Sequence, residues 1–238
     1  MSDADPRLDA ALRALADDGD DAGVDGRLDA LRASLAQEGG LARLKSLSTP
    51  ARLAAVTSLL AVIVALTIVF SGRPDLGVYP AARLTVEMAV PGILALALAL
   101  VALRGPHRPP PATGLTWGLA GAAVLLPLAM AFLPPADLMI PGAKGSEGRF
   151  VQEVMGCFLY GSAAALPVLG ALAVLQRLPP TRTRMAALTA AGAGLGGVLA
   201  LQMHCPVALR DHLLLGHATV PLATILLIVA GRALLGRR

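Results

Sequence analysis

The sequence predicts an all-α, polytopic membrane protein with six transmembrane helices. Six long apolar stretches, a hydrophobic content of 55% and a mean hydropathy of +0.68 support this prediction. A helix of about 20 apolar residues is long enough to cross about 30 Å of hydrocarbon. Because lipid offers the backbone no hydrogen-bond partners, helices that satisfy their own backbone are the expected form. The predicted spans are residues 53–70, 84–103, 115–133, 154–175, 185–203 and 213–231.

The distribution of basic residues predicts that both termini lie in the cytoplasm. With a cytoplasmic N-terminus, the inner loops hold eleven Lys and Arg residues and the outer loops hold five. This asymmetry fits the positive-inside rule. The six acids after residue 40 support the same orientation, because all of them fall on the predicted outer side. The predicted organisation is thus a cytoplasmic segment, residues 1–52, followed by a membrane domain, residues 53–238.

The cytoplasmic segment is acidic and contains two short amphipathic patterns. Residues 1–40 carry ten acids and four Arg. Leucines recur at helical spacing in residues 6–17 and again in residues 24–37, which predicts a narrow apolar stripe on each of two short helices. These leucines are Leu8, Leu12, Leu15, Leu28, Leu31 and Leu35. The acidic run at residues 17–23 separates the two patterns, and a basic juxtamembrane stretch, residues 41–53, comes after them.

Three interpretations of this segment are open. It can be a solvated acidic tail, or it can fold on a cytoplasmic protein partner that offers a basic, apolar groove. Attachment to the membrane surface is disfavoured, because the acids are repelled by the anionic inner leaflet. The leucines are the residues expected to bind a protein partner.

Motif content argues against an enzyme. The chain has no Walker A lysine, no HExxH, no CxxC and no nucleophile elbow. The glycine-rich run at residues 192–197 lies inside an apolar span without a preceding strand, so it indicates close helix packing rather than a nucleotide site. The sequence pI of 9.7 reflects loops that face anionic lipid and does not indicate nucleic-acid binding. The polar first fifty residues contain no predicted signal peptide.

Cysteine, histidine and carboxylate side chains concentrate near the predicted outer ends of the spans. Polar groups in membrane segments are costly, so they call for an explanation. The residues expected to sense a signal or bind a metal are Cys157, Cys205, His204, His212, His217, Glu87 and Glu153. The fourth histidine, His107, is expected to be ordinary loop surface on the inner side.

Several roles for these residues are open. Thiol, imidazole and carboxylate groups bind Zn²⁺ and thiophilic ions, and the two cysteines could instead form one disulfide. Alternatively, the cysteines are core residues and the histidines bind neighbouring loops. Because His212 and His217 are five residues apart, about 140° around an α-helix, we expect that a single helix does not present both to one ion. No cofactor is predicted to be required.

The chain resembles the bacterial six-span integral-membrane anti-sigma factors, the negative regulators of sigma F. The resemblance rests on a short cytoplasmic N-terminus that ends in LKSLSTPARL, six spans without large loops, a cysteine in span four, and HCP at the end of span five before a His-bearing last span. It covers the membrane domain better than residues 1–40, which are longer and more acidic than expected for the family.

The resemblance implies a function in transcription regulation. The cytoplasmic segment would hold an extracytoplasmic-function sigma factor at the bacterial inner membrane, and Cys157 and Cys205 would receive a periplasmic signal such as metal ions or oxidants. Two other classes stay open: a small-molecule or metal-ion transporter, and a membrane enzyme or assembly factor for a larger complex. The sequence shows no internal repeat and no charged residue at the bilayer centre, both of which transporters often have.

Overall fold

A computed structural model of the chain describes residues 47–104, 111–133, 149–176, 183–207 and 209–235. All regular elements in these ranges are helical. They are α1 (Thr49–Ser71), α2 (Ala81–Ala102), α3 (Thr113–Met130), α4 (Phe150–Leu175), α5 (Thr183–His204), the short α6 (Arg210–His212), a π-helical turn (Leu213–His217) and α7 (Thr219–Leu235).

The six predicted spans are confirmed. Helices α1 to α5 and the continuous segment Arg210–Leu234 are each long and apolar enough to cross a membrane. The first span begins at Thr49, four residues before the predicted start, because Ser48 caps the helix. The Ser48 hydroxyl accepts a hydrogen bond of 3.3 Å from the backbone N–H of Ala51, and proline in the first turn leaves no orphan donor there.

The helices belong to one compact unit that begins at Leu47. Residues 49–52, which were predicted to be part of the cytoplasmic segment, therefore belong to α1. The six leucines predicted to bind a partner lie outside the described residues, and so does His107.

Helix α5 occupies the centre of the bundle. In this helix 94% of the apolar window is buried, compared with at most 33% in any other span. Its main neighbours are α2, α4 and α7. Small residues allow this position: a Cβ added at Gly194 would come within 2.5 Å of the Cα of Pro221 in α7, and one added at Gly197 would overlap the carbonyl oxygen of Gly161 in α4. The packing interpretation of residues 192–197 is confirmed.

Polar side chains connect the helices at both ends of the bundle. At one end, here called the cysteine end, the start of α4 meets the end of α5 and the π-helical turn. At the opposite end, the buried guanidinium of Arg52 in α1 donates to the carbonyl oxygen of Leu175 in α4 at 2.9 Å. The side-chain amide of Gln176 donates there to the Thr189 hydroxyl of α5 at 2.6 Å. Helix α4 thus makes specific contacts at both ends.

Candidate metal and redox centre

Four of the seven predicted sensing residues converge at the cysteine end. Cys157, Cys205, His212 and His217 each offer one ligand atom, and these atoms all lie within 4.8 Å of one another. Cys205 Sγ and His212 Nε2 are 3.2 Å apart. We call these four residues the Cys/His cluster.

Three separate chain segments build the Cys/His cluster. Cys157 lies in the second turn of α4, and Cys205 comes directly after α5, with its backbone N–H bonded to the carbonyl of Leu201 at 2.8 Å. Pro206 then prevents the helix from continuing, because proline has no N–H to donate. The two histidines come from the start of the last span, on α6 and on the π-helical turn.

The π-helical turn explains why one helix presents both histidines. The expectation that His212 and His217 could not face one ion is wrong, because it assumed 3.6 residues per turn throughout. In residues 213–217 the helix is wider than an α-helix. The N–H of Ala218 donates to the carbonyl oxygen of Leu213, five residues back, at 3.0 Å. An i→i+5 turn places residues five apart near the same face. The two imidazole rings therefore meet edge to face, with centroids 5.6 Å apart.

The Cys/His cluster is closed to solvent. The exposed fractions are 7% for Cys157, 5% for Cys205, 0% for His212 and 2% for His217. Leu201 and Val220 complete an apolar wall around the sulfurs. Buried imidazole nitrogens normally have hydrogen-bond partners, yet Nδ1 of His212 and both ring nitrogens of His217 have none among the residues that the structure describes.

The Cys205 thiol, just beyond the end of α5, is unusually acidic. A hydrogen bond from the Cys157 thiol holds the pKa of Cys205 well below its usual value, against the opposing effect of burial, and the hydrogen bond from His212 acts in the same direction. A stabilised thiolate is the form of cysteine that binds metals and attacks oxidants.

His204 belongs to a different contact set at the same end. Its ring stacks on Tyr160 of α4 with centroids 4.0 Å apart, and its Nδ1 lies 2.8 Å from the carbonyl oxygen of Ser71. The Tyr160 hydroxyl also bonds to the hydroxyls of Thr67 and Ser71, at 3.0 and 2.9 Å. His204 therefore links α1, α4 and α5 and is not part of the Cys/His cluster.

The two predicted carboxylates are also outside the Cys/His cluster. Glu87 accepts hydrogen bonds from the Tyr79 hydroxyl at 2.9 and 3.0 Å and from Arg83 Nε at 2.7 Å, so its oxygens are already used. Glu153 lies one turn before Cys157 on α4, as its spacing predicted. Its carboxylate is not among the four converging groups.

A small cavity borders the Cys/His cluster. It has a volume of about 20 Å³, and both Cys205 and His217 contribute to its wall, which leaves room for about one water molecule. Arg73, Tyr79 and Glu87 line its other side. Arg73 forms a two-pronged ion pair with Asp75, with both N–O distances at 2.7 Å, and its guanidinium lies 4.0 Å from the centre of the Tyr79 ring.

Several polar residues at this end were not predicted from the sequence. Tyr160 lies three residues after Cys157 on the same helix, so the spacing that placed Glu153 could also have indicated it. Arg73 and Tyr79 lie in the turn between α1 and α2, and no periodicity indicates that this turn folds over the cluster. Their positions depend on tertiary contacts.

The donor set allows two kinds of chemistry. Two thiols and two imidazoles can bind a thiophilic or borderline metal ion. Two adjacent thiols can also be oxidised to a disulfide, and both cysteines are free thiols in this structure.

The chain matches no protein-family model. Comparisons with curated proteins and with solved structures also find no match. The residues and geometry of this chain are therefore the basis for assigning its function.

Proposed function

We propose that this protein is an integral-membrane anti-sigma factor of the bacterial inner membrane. Residues 1–52 hold an extracytoplasmic-function sigma factor away from RNA polymerase, and a metal or redox signal at the Cys/His cluster releases it. The observation that carries the proposal is the convergence of two cysteines and two histidines at one end of a six-span bundle.

The predicted orientation gives the Cys/His cluster a sensory position. The excess of basic residues in the inner loops would put the cysteine end on the outer side of the membrane. The acidic N-terminal segment would then lie on the cytoplasmic side, where a sigma factor is found. A signal that arises outside could therefore reach the cysteines directly.

Helix α4 offers a physical connection between the two sides. Cys157 lies near its first end, and Leu175, eighteen residues later, accepts the hydrogen bond from Arg52 at the base of α1. A helix rises 1.5 Å per residue, so these two points are about 27 Å apart along one continuous helix. A shift of α4 at the cysteine end would thus act on Arg52, the last residue of the proposed sigma-binding segment. Such coupling requires two arrangements of the bundle whose populations the signal changes.

The first test is capture of the partner from native membranes. Full-length protein with a C-terminal tag should recover a sigma factor from its own organism. Leu12→Asp should lower recovery by about thirtyfold, because loss of a buried apolar anchor costs about 2 kcal/mol. The matched change Asp9→Ala should lower it by about fivefold at most, because an exposed charge mainly steers association.

Two outcomes would contradict this assignment. If no sigma factor is recovered with the wild-type chain, the anti-sigma function is wrong. If a chain that lacks residues 1–40 retains its sigma factor fully, the leucines are not the binding residues, and residues 41–52 become the candidate.

A further inference from the structure

We propose that the Cys/His cluster is a closed, four-coordinate Zn²⁺ site that is loaded in the resting protein. The metal ion would connect α4, the end of α5 and the π-helical turn of the last span. The metal site itself stands on the geometry alone, whereas its role as the resting state of a sensor rests on the proposed function.

The spacing of the ligand atoms fits tetrahedral zinc. Zinc–sulfur bonds of about 2.3 Å and zinc–nitrogen bonds of about 2.0–2.1 Å place tetrahedral ligand atoms roughly 3.3–3.8 Å apart. Cys205 Sγ and His212 Nε2 are already 3.2 Å apart. The widest pair in the Cys/His cluster is within 4.8 Å. The ligands therefore need to close by about an ångström, which rotation of side chains can supply.

The unpartnered nitrogens of His217 indicate that an electron-pair acceptor belongs beside its ring. A buried polar atom without a partner costs about 1–3 kcal/mol. Among the described residues, both ring nitrogens of His217 are of this kind, and so is Nδ1 of His212, whose Nε2 already lies 3.2 Å from Cys205 Sγ. A metal ion would bind one nitrogen of each ring, and the neighbouring cavity has space for about one water molecule beside His217. The same nitrogens would be difficult to explain if these residues served packing alone.

Charge balance favours a divalent ion with two thiolates. An unpaired charge is expensive in a buried site. Two thiolates and one Zn²⁺ sum to zero, and the two imidazoles bind in the neutral form. Hard ions such as Mg²⁺ and Ca²⁺ prefer oxygen ligands, and the nearby carboxylate of Glu87 is already bonded to Tyr79 and Arg83.

The closed ligand set assigns the metal a structural and regulatory role. Zinc sites with four protein ligands have no open position for water or substrate, unlike catalytic sites. Occupation of the site would fix the π-helical turn, because His212 directly precedes the turn and His217 is its last residue. Loss of the metal would release the start of the last span from α4 and α5.

Oxidation would remove the metal by consuming its ligands. With hydrogen peroxide as oxidant, the two thiolates give up two electrons and form one S–S bond. The peroxide takes up these electrons with two protons and leaves as two water molecules, and Zn²⁺ dissociates because two of its four ligands are lost. A single site would then respond to oxidants and also to thiophilic ions that displace zinc.

The test is metal analysis of the full-length protein, purified in mild detergent under reducing conditions. The wild-type chain should contain about one zinc per molecule after gel filtration. Cys157→Ser and His217→Gln should lower the zinc content by about tenfold or more, because loss of even an outer-shell partner weakens metal affinity by about 10–100-fold. His204→Gln is the matched control, a histidine at the same end outside the Cys/His cluster, and it should keep its zinc.

Cobalt substitution reports the ligand geometry independently. Co²⁺ in the wild-type site should give the visible bands of a tetrahedral ion and a sulfur-to-metal charge-transfer band. His217→Gln should weaken both, and His204→Gln should not. Peroxide should abolish the bands and release the metal in step with the loss of two thiols.

The outcomes that overturn the proposal are specific. They are a reduced wild-type chain that binds neither zinc nor cobalt, a His204→Gln variant that loses as much metal as His217→Gln, and zinc that is removed by gel filtration.

If the ligand variants do not fold, alkylation of the wild-type thiols replaces them as the test. Alkylation should be slow with zinc and fast after chelation, and equal rates would refute the site. Zinc analysis requires no sigma factor, and sigma capture requires no metal analysis, so the two proposals fail separately.

Discussion

Tyr79 shows how single residues close the cysteine end. It lies in the turn between α1 and α2, buried between the guanidinium of Arg73 and the carboxylate of Glu87. Burial and the negative charge of Glu87 raise the pKa of the Tyr79 phenol to about 12, against the opposing effect of Arg83 and Arg73. The phenol therefore stays protonated and donates to Glu87, which keeps that carboxylate away from the Cys/His cluster.

The raised pKa of Tyr79 can be measured in the variant Tyr160→Phe, because the chain has only two tyrosines. We expect tyrosinate absorbance to appear near pH 12 rather than near the ordinary value of 10. The folded state holds this proton more tightly than the unfolded state. The protonated Tyr79 phenol thus contributes fully to the stability of the folded state below pH 10, and this contribution is lost as the pH rises through about 12. Glu87→Gln should lower the pKa of Tyr79, and a midpoint of 10 in the otherwise unaltered Tyr160→Phe protein would contradict the structure.

Among the helical elements, the π-helical turn decides the composition of the site. It is equivalent to one extra residue in an α-helix, and it brings His217 to the face of His212. Gly216 lies on the inner side of the turn, where an added Cβ would be 3.5 Å from the Cβ of Cys157. A methyl group at position 216 would therefore contact α4 at ordinary van der Waals distance, so this approach does not itself require glycine.

Changing the number of residues in the turn tests this geometry. Deletion of the exposed Leu215 should convert the turn to α-helix and leave the two histidines four residues apart, still on one face. That variant should keep tetrahedral cobalt bands. Insertion of one alanine after Leu215 should rotate His217 by about 100° and abolish them. Equal spectra for the two variants would show that the turn does not position the ligands.

For the bundle in its membrane, orientation decides what the Cys/His cluster can sense. The positive-inside rule predicts that both termini are cytoplasmic, with eleven basic residues in inner loops and five in outer loops. A reporter protein that is active only in the cytoplasm, fused after Arg238, should be active. The same reporter inserted between residues 142 and 146 should be inactive. The reverse pattern would place the Cys/His cluster inside and remove the basis for an outer signal.

The fold class and the positions of the spans were predictable from the sequence. The length of an apolar stretch and the number of basic residues in a loop are local properties, so both can be counted along the sequence. The structure confirms six helices within a few residues of the predicted spans. The glycine-rich run at residues 192–197 also indicated close packing correctly, because only small residues allow helix backbones to approach.

The grouping of the seven predicted sensing residues depends instead on tertiary contacts. The rotation of each helix and the hydrogen-bond pattern of the last span set the directions of the side chains. Neither property can be predicted from the spacing of residues in the sequence. His204 therefore stacks on Tyr160, and Glu87 bonds to Tyr79 and Arg83. His212 and His217 face one point because a π-helical turn lies between them. The prediction from the sequence assumed a regular α-helix at these residues.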